Sequence, residues 1–350
     1  MTKHKYMKKR AYIYPANDTN NEFIKSIYIA LQSNNVIVTD SLKDFLRTRF
    51  FILNWYENIY HQQHIFIKRY MFLILLLICK KKIVVFLHNI RPHLKYHTTV
   101  YYHLSEKLLR LLIKHSSALV CLSETSISYF PLSTQELLQQ FSTKIYYIPH
   151  PNFIQYSYSP KNIPTQKLRL LCFGGIETYK GVEIAVNAMN NIHNPDIELW
   201  IIGTSSDIAR QTKLQGMSIN PNTHFLFQYI PNEKLGKLFS HFDLSIYPLD
   251  TYSCLNSSSI LLSFSQRTSV ICPHIATLDA YPCDHYITYQ YNSIGEHTKT
   301  LTKLIEQSKK DKETNPDIFL SMGIECYKDI LKNNSQETIN KKWGELLSKL

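Results

Sequence analysis

Short apolar runs alternate with segments of helical period from one end of this chain to the other, and that alternation limits the folds open to it. In the first half, strands read at 11–15, 35–39, 51–55, 82–87, 118–122 and 145–148. Helical periods fall at 22–32, 65–79 and 98–114, and 42–50 reads as mixed helix or loop. The second half repeats the pattern, with strands at 168–173, 197–202, 223–227, 244–247, 269–272 and 286–288. Its helices read at 182–191, 207–215, 232–239, 257–264, 294–309 and 317–331. Apolar strands interleaved with helices predict parallel sheets covered on both faces, with ligands at the carboxyl ends of the strands. A polar, proline-containing stretch at 156–166 reads as a linker. The expected plan is therefore two doubly wound, Rossmann-like domains at 1–155 and 167–334, then a closing helix at 335–350 that can cross back to the first domain. At 350 residues each domain can bury its own core.

The stretch 168–189, LRLLCFGGIETYKGVEIAVNAM, carries the strongest chemical signal. A strand breaks at Gly174-Gly175, and Lys180-Gly181 opens a helix. Backbone N–H groups and the positive end of a helix dipole then face an anion, with the Lys180 ammonium at the same mouth. The competing reading is an ordinary strand–helix unit with a surface lysine.

Charge separates the two halves. Residues 1–165 hold 21 Lys/Arg against 8 Asp/Glu, a net +13, and the remainder holds 18 against 19, a net −1. Such a field attracts nucleic acid, an anionic membrane face or a phosphorylated substrate. The most apolar run, MFLILLLIC at 71–79, is far too short to span a bilayer. It reads as a buried helix or, flanked by Lys68-Arg69 and Lys80-Lys81-Lys82, as a shallow insertion into an anionic membrane. Seven cysteines without a CxxC pair fit buried thiols in a reducing compartment. The basic N-terminus is followed by no long apolar core, so it does not read as a signal peptide.

Several strand ends of the first half carry polar groups. His88 ends the most apolar strand and can take a proton from a hydroxyl near neutral pH, or hydrogen-bond a phosphate or sugar oxygen. Asn89 and Arg91 stand beside it to orient it or meet a phosphate, with His93 and His150 as weaker partners. Glu57 and Glu124 each follow a strand and are the alternative bases. A strand-end histidine with an ordinary hydrogen bond is the structural alternative to all of these.

The order of motifs then resembles a known family. FGGIETYKG, ELWIIG, FLFQYIPNEKLGKLFSHFDLSIYPL and NSSSILLSFSQRTSVICP follow one another as in the C-terminal domain of GT-B glycosyltransferases, nearest the glycosyltransferase group 1 superfamily. NWYE, VVFLHNIRPH, LVCLSE and IPHPNF resemble a bacterial subset that builds exopolysaccharides and lipid-linked saccharides. The resemblance implies two domains facing across a cleft, the second binding a nucleotide-sugar and the first an acceptor, which places Asn54 and Trp55 with Asn89, Arg91, His93 and His150. It matches Lys180, behind Gly174 and Gly175, to a lysine on the donor diphosphate. It also sets Tyr229 and Ile230 along the nucleobase.

Tyr247 and Asp250 end the next strand, where Asp250 can hold sugar hydroxyls. Asn256 can cap a helix whose Ser257, Ser258 and Ser259 receive the diphosphate. The chain departs from the pattern twice. The arginine before the lysine is replaced by Gly175, Ile176 and Glu177, leaving Arg91 or Arg267 as substitutes. The paired glutamates eight apart are replaced by Asn256 and Phe264, which speaks against a retaining mechanism.

GxGxxG, GxxxxGK[ST] and HExxH are absent, and neither Asp196-Ile197-Glu198 nor Asp311-Lys312-Glu313 resembles a DxD metal loop. The expectation is a transferase with no cofactor and no metal, taking a nucleotide-sugar donor and a glycolipid or saccharide acceptor. It would be cytoplasmic, peripheral at the inner membrane face, and would bind no nucleic acid. The competing readings are a sugar-nucleotide epimerase of the same fold, which needs no acceptor, and a basic nucleic-acid-binding protein, for which no motif is present.

Overall fold

The computed structural model describes residues 9–16, 21–39, 41–59, 63–91, 100–162, 166–205 and 207–350. The chain forms two compact units, Met1–Pro151 with Asn334–Leu350, and Asn152–Asn333.

The first unit is built on β1 (Arg10–Tyr14), β2 (Ile37–Thr39), β3 (Phe50–Leu53), β4 (Lys82–Phe86), β5 (Ala118–Cys121) and β6 (Ile145–Tyr147). They form one sheet in the order β2-β1-β3-β4-β5-β6, and every neighbouring pair is parallel. Order reverses between β1 and β3, so this unit has its switch point where Tyr14 and Leu53 end. The helices are α1 (Glu22–Ser33), α2 (Gln63–Ile78), α3 (Val100–His115) and α4 (Leu132–Gln139). Asn21 caps α1, its side chain accepting from Phe23 N and Ile24 N. The helix ends where Asn35 turns left-handed at φ 59°, and that turn delays β2 to Ile37, two residues later than its apolar run. Helix α4 has no counterpart among the expected elements. The first two residues of the expected helix at 98–114, and 163–165 of the expected linker, lie outside the described residues.

The second unit contains β7 (Leu168–Phe173), α5 (Val182–Asn190), β8 (Ile197–Ile202), α6 (Ile208–Met217), β9 (Thr223–Leu226), α7 (Leu235–Phe239), β10 (Leu244–Ile246) and α8 (Ser258–Ser265). It continues with β11 (Ser269–Pro273), β12 (Ile287–Tyr289), α9 (Ile294–Thr314) and α10 (Ile318–Asn333). The sheet is again parallel throughout, in the order β12-β11-β10-β7-β8-β9, reversing between β7 and β10. Phe153 already belongs to this unit's core, so the second unit begins before the polar stretch at 156–166. Lys161 fastens that stretch to the amino edge of the sheet. Its ammonium donates to the Phe239 and Phe242 carbonyls at 3.0 and 2.8 Å and to Thr268 Oγ1 at 2.6 Å.

The last helix, α11 (Gln336–Lys349), returns to the first unit and packs on α1. Ile339, Trp343 and Leu346 join Phe23, Ile24 and Ile27 of α1 over Ile13, Ile52 and Val84 of the sheet, all of them buried. Among the described residues no helix is long and apolar enough to cross a membrane.

Candidate functional site

The second unit's switch point is where β7 runs into Gly174, and there three parts of the chain meet. Gly174 has φ 121°, a conformation L side chains rarely adopt, and a Cβ there would stand 3.3 Å from Ser259 Oγ. A tight turn over Thr178–Lys180 leads to Gly181 at φ 62°, where a Cβ would overlap the Pro248 carbonyl oxygen at 1.8 Å. Only glycine lets the start of α5 lie this close to the loop after β10. Lys180 Nζ then donates to Ser259 Oγ at 3.0 Å, and its ammonium lies 5.5 Å from the Tyr179 ring centroid. The Gly174 turn, the lysine and the first turn of α8 thus share one hydroxyl.

Lys180 forms no ion pair among the described residues. Burial pushes its pKa below the ordinary value, with Cys254, Cys172 and Glu177 acting the other way. Burial also pushes the Cys172 and Cys254 thiols up to about 12, so at neutral pH neither is a thiolate able to balance the charge. A desolvated ammonium outside any ion pair gains by meeting an anion.

Helix α8 adds N–H groups. Its N-cap is Ser257, not Asn256 as the sequence reading had it, and Ser257 makes no side-chain cap bond. The Ser257 backbone N–H is taken by Thr277 Oγ1 at 3.0 Å, while its own Oγ is buried with no hydrogen-bond partner. The next N–H groups, from Ser258 onward, lack intrahelical acceptors by the geometry of a helix start. Ser258 is exposed and Ser259 buried. Beneath the turn, Phe173, Gly175, Ile176, Ile201 and Tyr247 help to line a cavity of about 10 Å³. That is room for one water at most, so a ligand of any size lies on the open side of the loop.

The remaining expected donor contacts divide. Tyr229 is exposed and Ile230 is partly buried against the core. Tyr247 is a core residue: its hydroxyl bonds Ser263 Oγ at 2.8 Å, Ser263 bonds Ser245 at 3.0 Å, and burial raises its pKa. It forms the floor and not a polar contact. Asp250 uses both carboxylate oxygens on its own turn, accepting from Tyr252 N at 3.0 Å and Ser253 Oγ at 2.9 Å.

Arg267 does not replace the missing arginine. It follows the far end of α8, stacked between Tyr158 and Tyr327 at 3.9 and 4.6 Å. The guanidinium that does reach the loop is Arg210 of α6. It donates to the Glu177 carbonyl at 3.3 Å and to Thr178 Oγ1 at 3.4 Å, and pairs with Glu183 at 2.8 Å. Nothing in the spacing of the sequence marked it, because it lies a whole strand–helix unit away.

In the first unit, β4 delivers His88 into an aromatic box. Its ring stacks on Trp55 at 4.2 Å and on Phe86 at 5.6 Å, with Phe23 edge-on at 5.0 Å. Asn54 Nδ2 donates to the Tyr14 carbonyl at 2.9 Å, which turns its Oδ1 towards His88 Nε2 at 3.2 Å. The proton is therefore on Nε2. Burial, and secondarily His150, lowers the His88 pKa to about 3. His150 is itself lowered to about 4 by burial; its Nδ1 bonds the Pro151 carbonyl at 2.8 Å. A histidine so resistant to protonation is a poor base at neutral pH.

Glu57 is the opposite case. Burial raises its pKa to about 7, against the pull of Arg69, and its Oε2 is buried without a partner. Arg69 Nη1 donates to the carbonyls on either side of it, Tyr56 at 2.6 Å and Asn58 at 2.7 Å, and Nη2 donates to the Tyr14 hydroxyl at 2.7 Å. Glu124 lies in an exposed turn after β5. Asn89 and Arg91 are half-buried in the loop after β4, and His93 lies outside the described residues.

No family model matches the chain. In sequence it is similar to the GDP-mannose:glycolipid 4-beta-D-mannosyltransferase of Xanthomonas campestris pv. campestris, 28% identical over 106 residues, which is 30% of each chain. The match therefore spans less than a third of that relative's length. Three solved structures share the fold. Sucrose-phosphate synthase from Thermosynechococcus elongatus superposes with TM-score 0.71 at 14% identity, covering 97% of this chain and 98% of that one. Anabaena HepE, solved with UDP and glucose, gives 0.66 at 12%, covering 98% and 100%. TarM gives 0.59 at 14%, covering 93% of this chain and 58% of its own. The fold is thus GT-B, with two doubly wound Rossmann-like units.

Proposed function

We propose that this protein is a hexosyltransferase that moves a sugar from a nucleotide-sugar to a lipid-linked or polysaccharide acceptor in bacterial surface-glycan synthesis, working peripherally at the anionic inner face of the membrane. The observation that carries the reading is the Lys180 ammonium, held by Ser259 between a glycine turn and the start of α8 at the second switch point. That is a cradle for a diphosphate. The bond between the sugar C1 and the diphosphate oxygen breaks, and the departing oxyanion meets Lys180 and the α8 N–H groups. The acceptor oxygen bonds to C1, and its proton passes to a base. Glu57, Glu124 and His88 are the candidates, and burial holds His88 too far below neutrality to serve well. Neutralisation by fixed protein donors needs no metal and no further cofactor. The sequence relative is named for GDP-mannose and a glycolipid, and HepE was solved with UDP, so the donors to screen are GDP- and UDP-sugars.

The test is turnover of those donors, with and without a glycolipid acceptor, by wild type and Lys180→Ala. Loss of one oxyanion partner predicts a fall of about 10²–10³ in kcat. Equal turnover by both proteins overturns the site. Conversion of the donor sugar without an acceptor would mark an epimerase instead.

A further inference from the structure

Helix α2 reads in sequence either as a buried segment or as a shallow membrane insertion, and its outward face is apolar. Ile67, Met71 and Ile78 are 61%, 57% and 72% exposed, and Leu75 stands between the last two. These positions recur at four, four and three residues and so form one stripe along the helix. Leu46, 86% exposed, lies in the turn over Leu42–Arg47. That turn is tied to the end of α2 by Lys81, which donates to the Phe45 and Leu46 carbonyls at 2.9 and 3.1 Å.

A stripe of this kind is ordinarily covered, and its neighbours say by what. Helix α3 packs beside α2 and turns outward His103, Lys107, Arg110 and Lys114, at spacings of four, three and four. Lys68 on α2 and Lys80 in the turn after it flank the apolar stripe, and α2 holds no acidic residue. The acids nearby are engaged: Glu106 accepts from Tyr102 and Asp44 pairs with Arg10.

We propose that the outer face of α2, with Leu46 beside it and the basic stripe of α3 alongside, docks on an anionic lipid bilayer. Met71, Leu75 and Ile78 enter the acyl boundary while the α3 cations stay at the phosphates. A helix lying in the plane of the interface needs this division, apolar residues below and lysines level with the headgroups. The inference rests on the membrane-face reading above but not on the sugar chemistry.

The experiment is co-sedimentation of the full chain with phosphatidylcholine vesicles, with and without phosphatidylglycerol. Wild type is expected on the anionic vesicles only, and less as salt rises. Met71→Glu with Leu75→Glu should lower partitioning at least about tenfold, since each buried methylene contributes. Lys107→Ala and Arg110→Ala should each lower it roughly fivefold. Ile208→Glu, an exposed apolar site in the other unit, should bind like wild type. Ile78→Trp gives a readout free of destabilisation: its added fluorescence should be quenched by brominated acyl chains. Equal binding by wild type and the Met71/Leu75 variant, or no quenching, overturns the proposal. So does self-association without lipid that the same variant abolishes, because a second copy then covers the face. Lys180→Ala should still bind vesicles, and transfer to a soluble acceptor should survive in the Met71/Leu75 variant, so the two readings fail separately.

Discussion

Glu57 and the two histidines give the first unit opposed responses to pH. The Glu57 carboxyl binds its proton more tightly in the folded chain, at about 7 against an ordinary 4.5. Folding stability therefore falls as pH rises through that window and stays lower above it. His88 and His150, lowered to about 3 and 4, act in reverse: stability falls as pH drops below about 6.5. Glu57→Gln should therefore melt with wild type near pH 4.5 and several degrees higher at pH 8, a gain of about 3 kcal/mol. Thermal melts at both values check it; a variant less stable than wild type at pH 8 would show that the ionised carboxylate is compensated. Which residue types would matter was partly legible in the sequence. Gly174, Lys180, Ser257 and Ser259 do converge. The sequence marks Tyr247 and Asp250 as strand-end residues but not what they bond, which is Ser263 for one and a turn four residues long for the other. Arg210 was invisible, since only folding brings α6 to the Glu177 turn.

Elements with buried strands were the most legible. β7 and β8 run over the residues their apolar runs mark. Helix α9 runs on to Thr314, past the apolar pattern, because Lys309 and Lys312 are buried against carbonyls of the linker and Asp243. Helix α4, LSTQELLQ, was missed because one and a half apolar turns give too short a period to recognise. The loop between β7 and α5 depends on a contact no pattern reveals, Gly181 against the Pro248 carbonyl. Gly181→Ala must open that contact and strain φ, a destabilisation of about 1–3 kcal/mol. The expected outcome is a lower Tm together with a KM for donor raised more than kcat is lowered. Gly216→Ala, in α6 with open space around its Cβ, should leave KM and kcat unchanged and Tm no lower.

At the scale of the molecule, the first unit borrows its closing helix from the far end of the chain. Trp343 is fully buried in that unit's core, and Arg49 Nη2 bonds the Leu350 carbonyl at 2.8 Å. Trp343→Ala should destabilise the first unit by about 3–5 kcal/mol. Chemical denaturation should then show an early transition, with the second unit's unchanged; a single shared transition would mean the units unfold together. Trp343 also dates the birth of the protein. On a ribosome adding 5–20 residues each second, roughly 10–40 s separate the emergence of α1 and its sheet from that of the helix that seals them. Throughout that interval the side of α1 that α11 covers stands open on a nascent polypeptide. A stop codon before Ile339 would leave that half-finished surface open for good, because it removes every α11 side chain in the core.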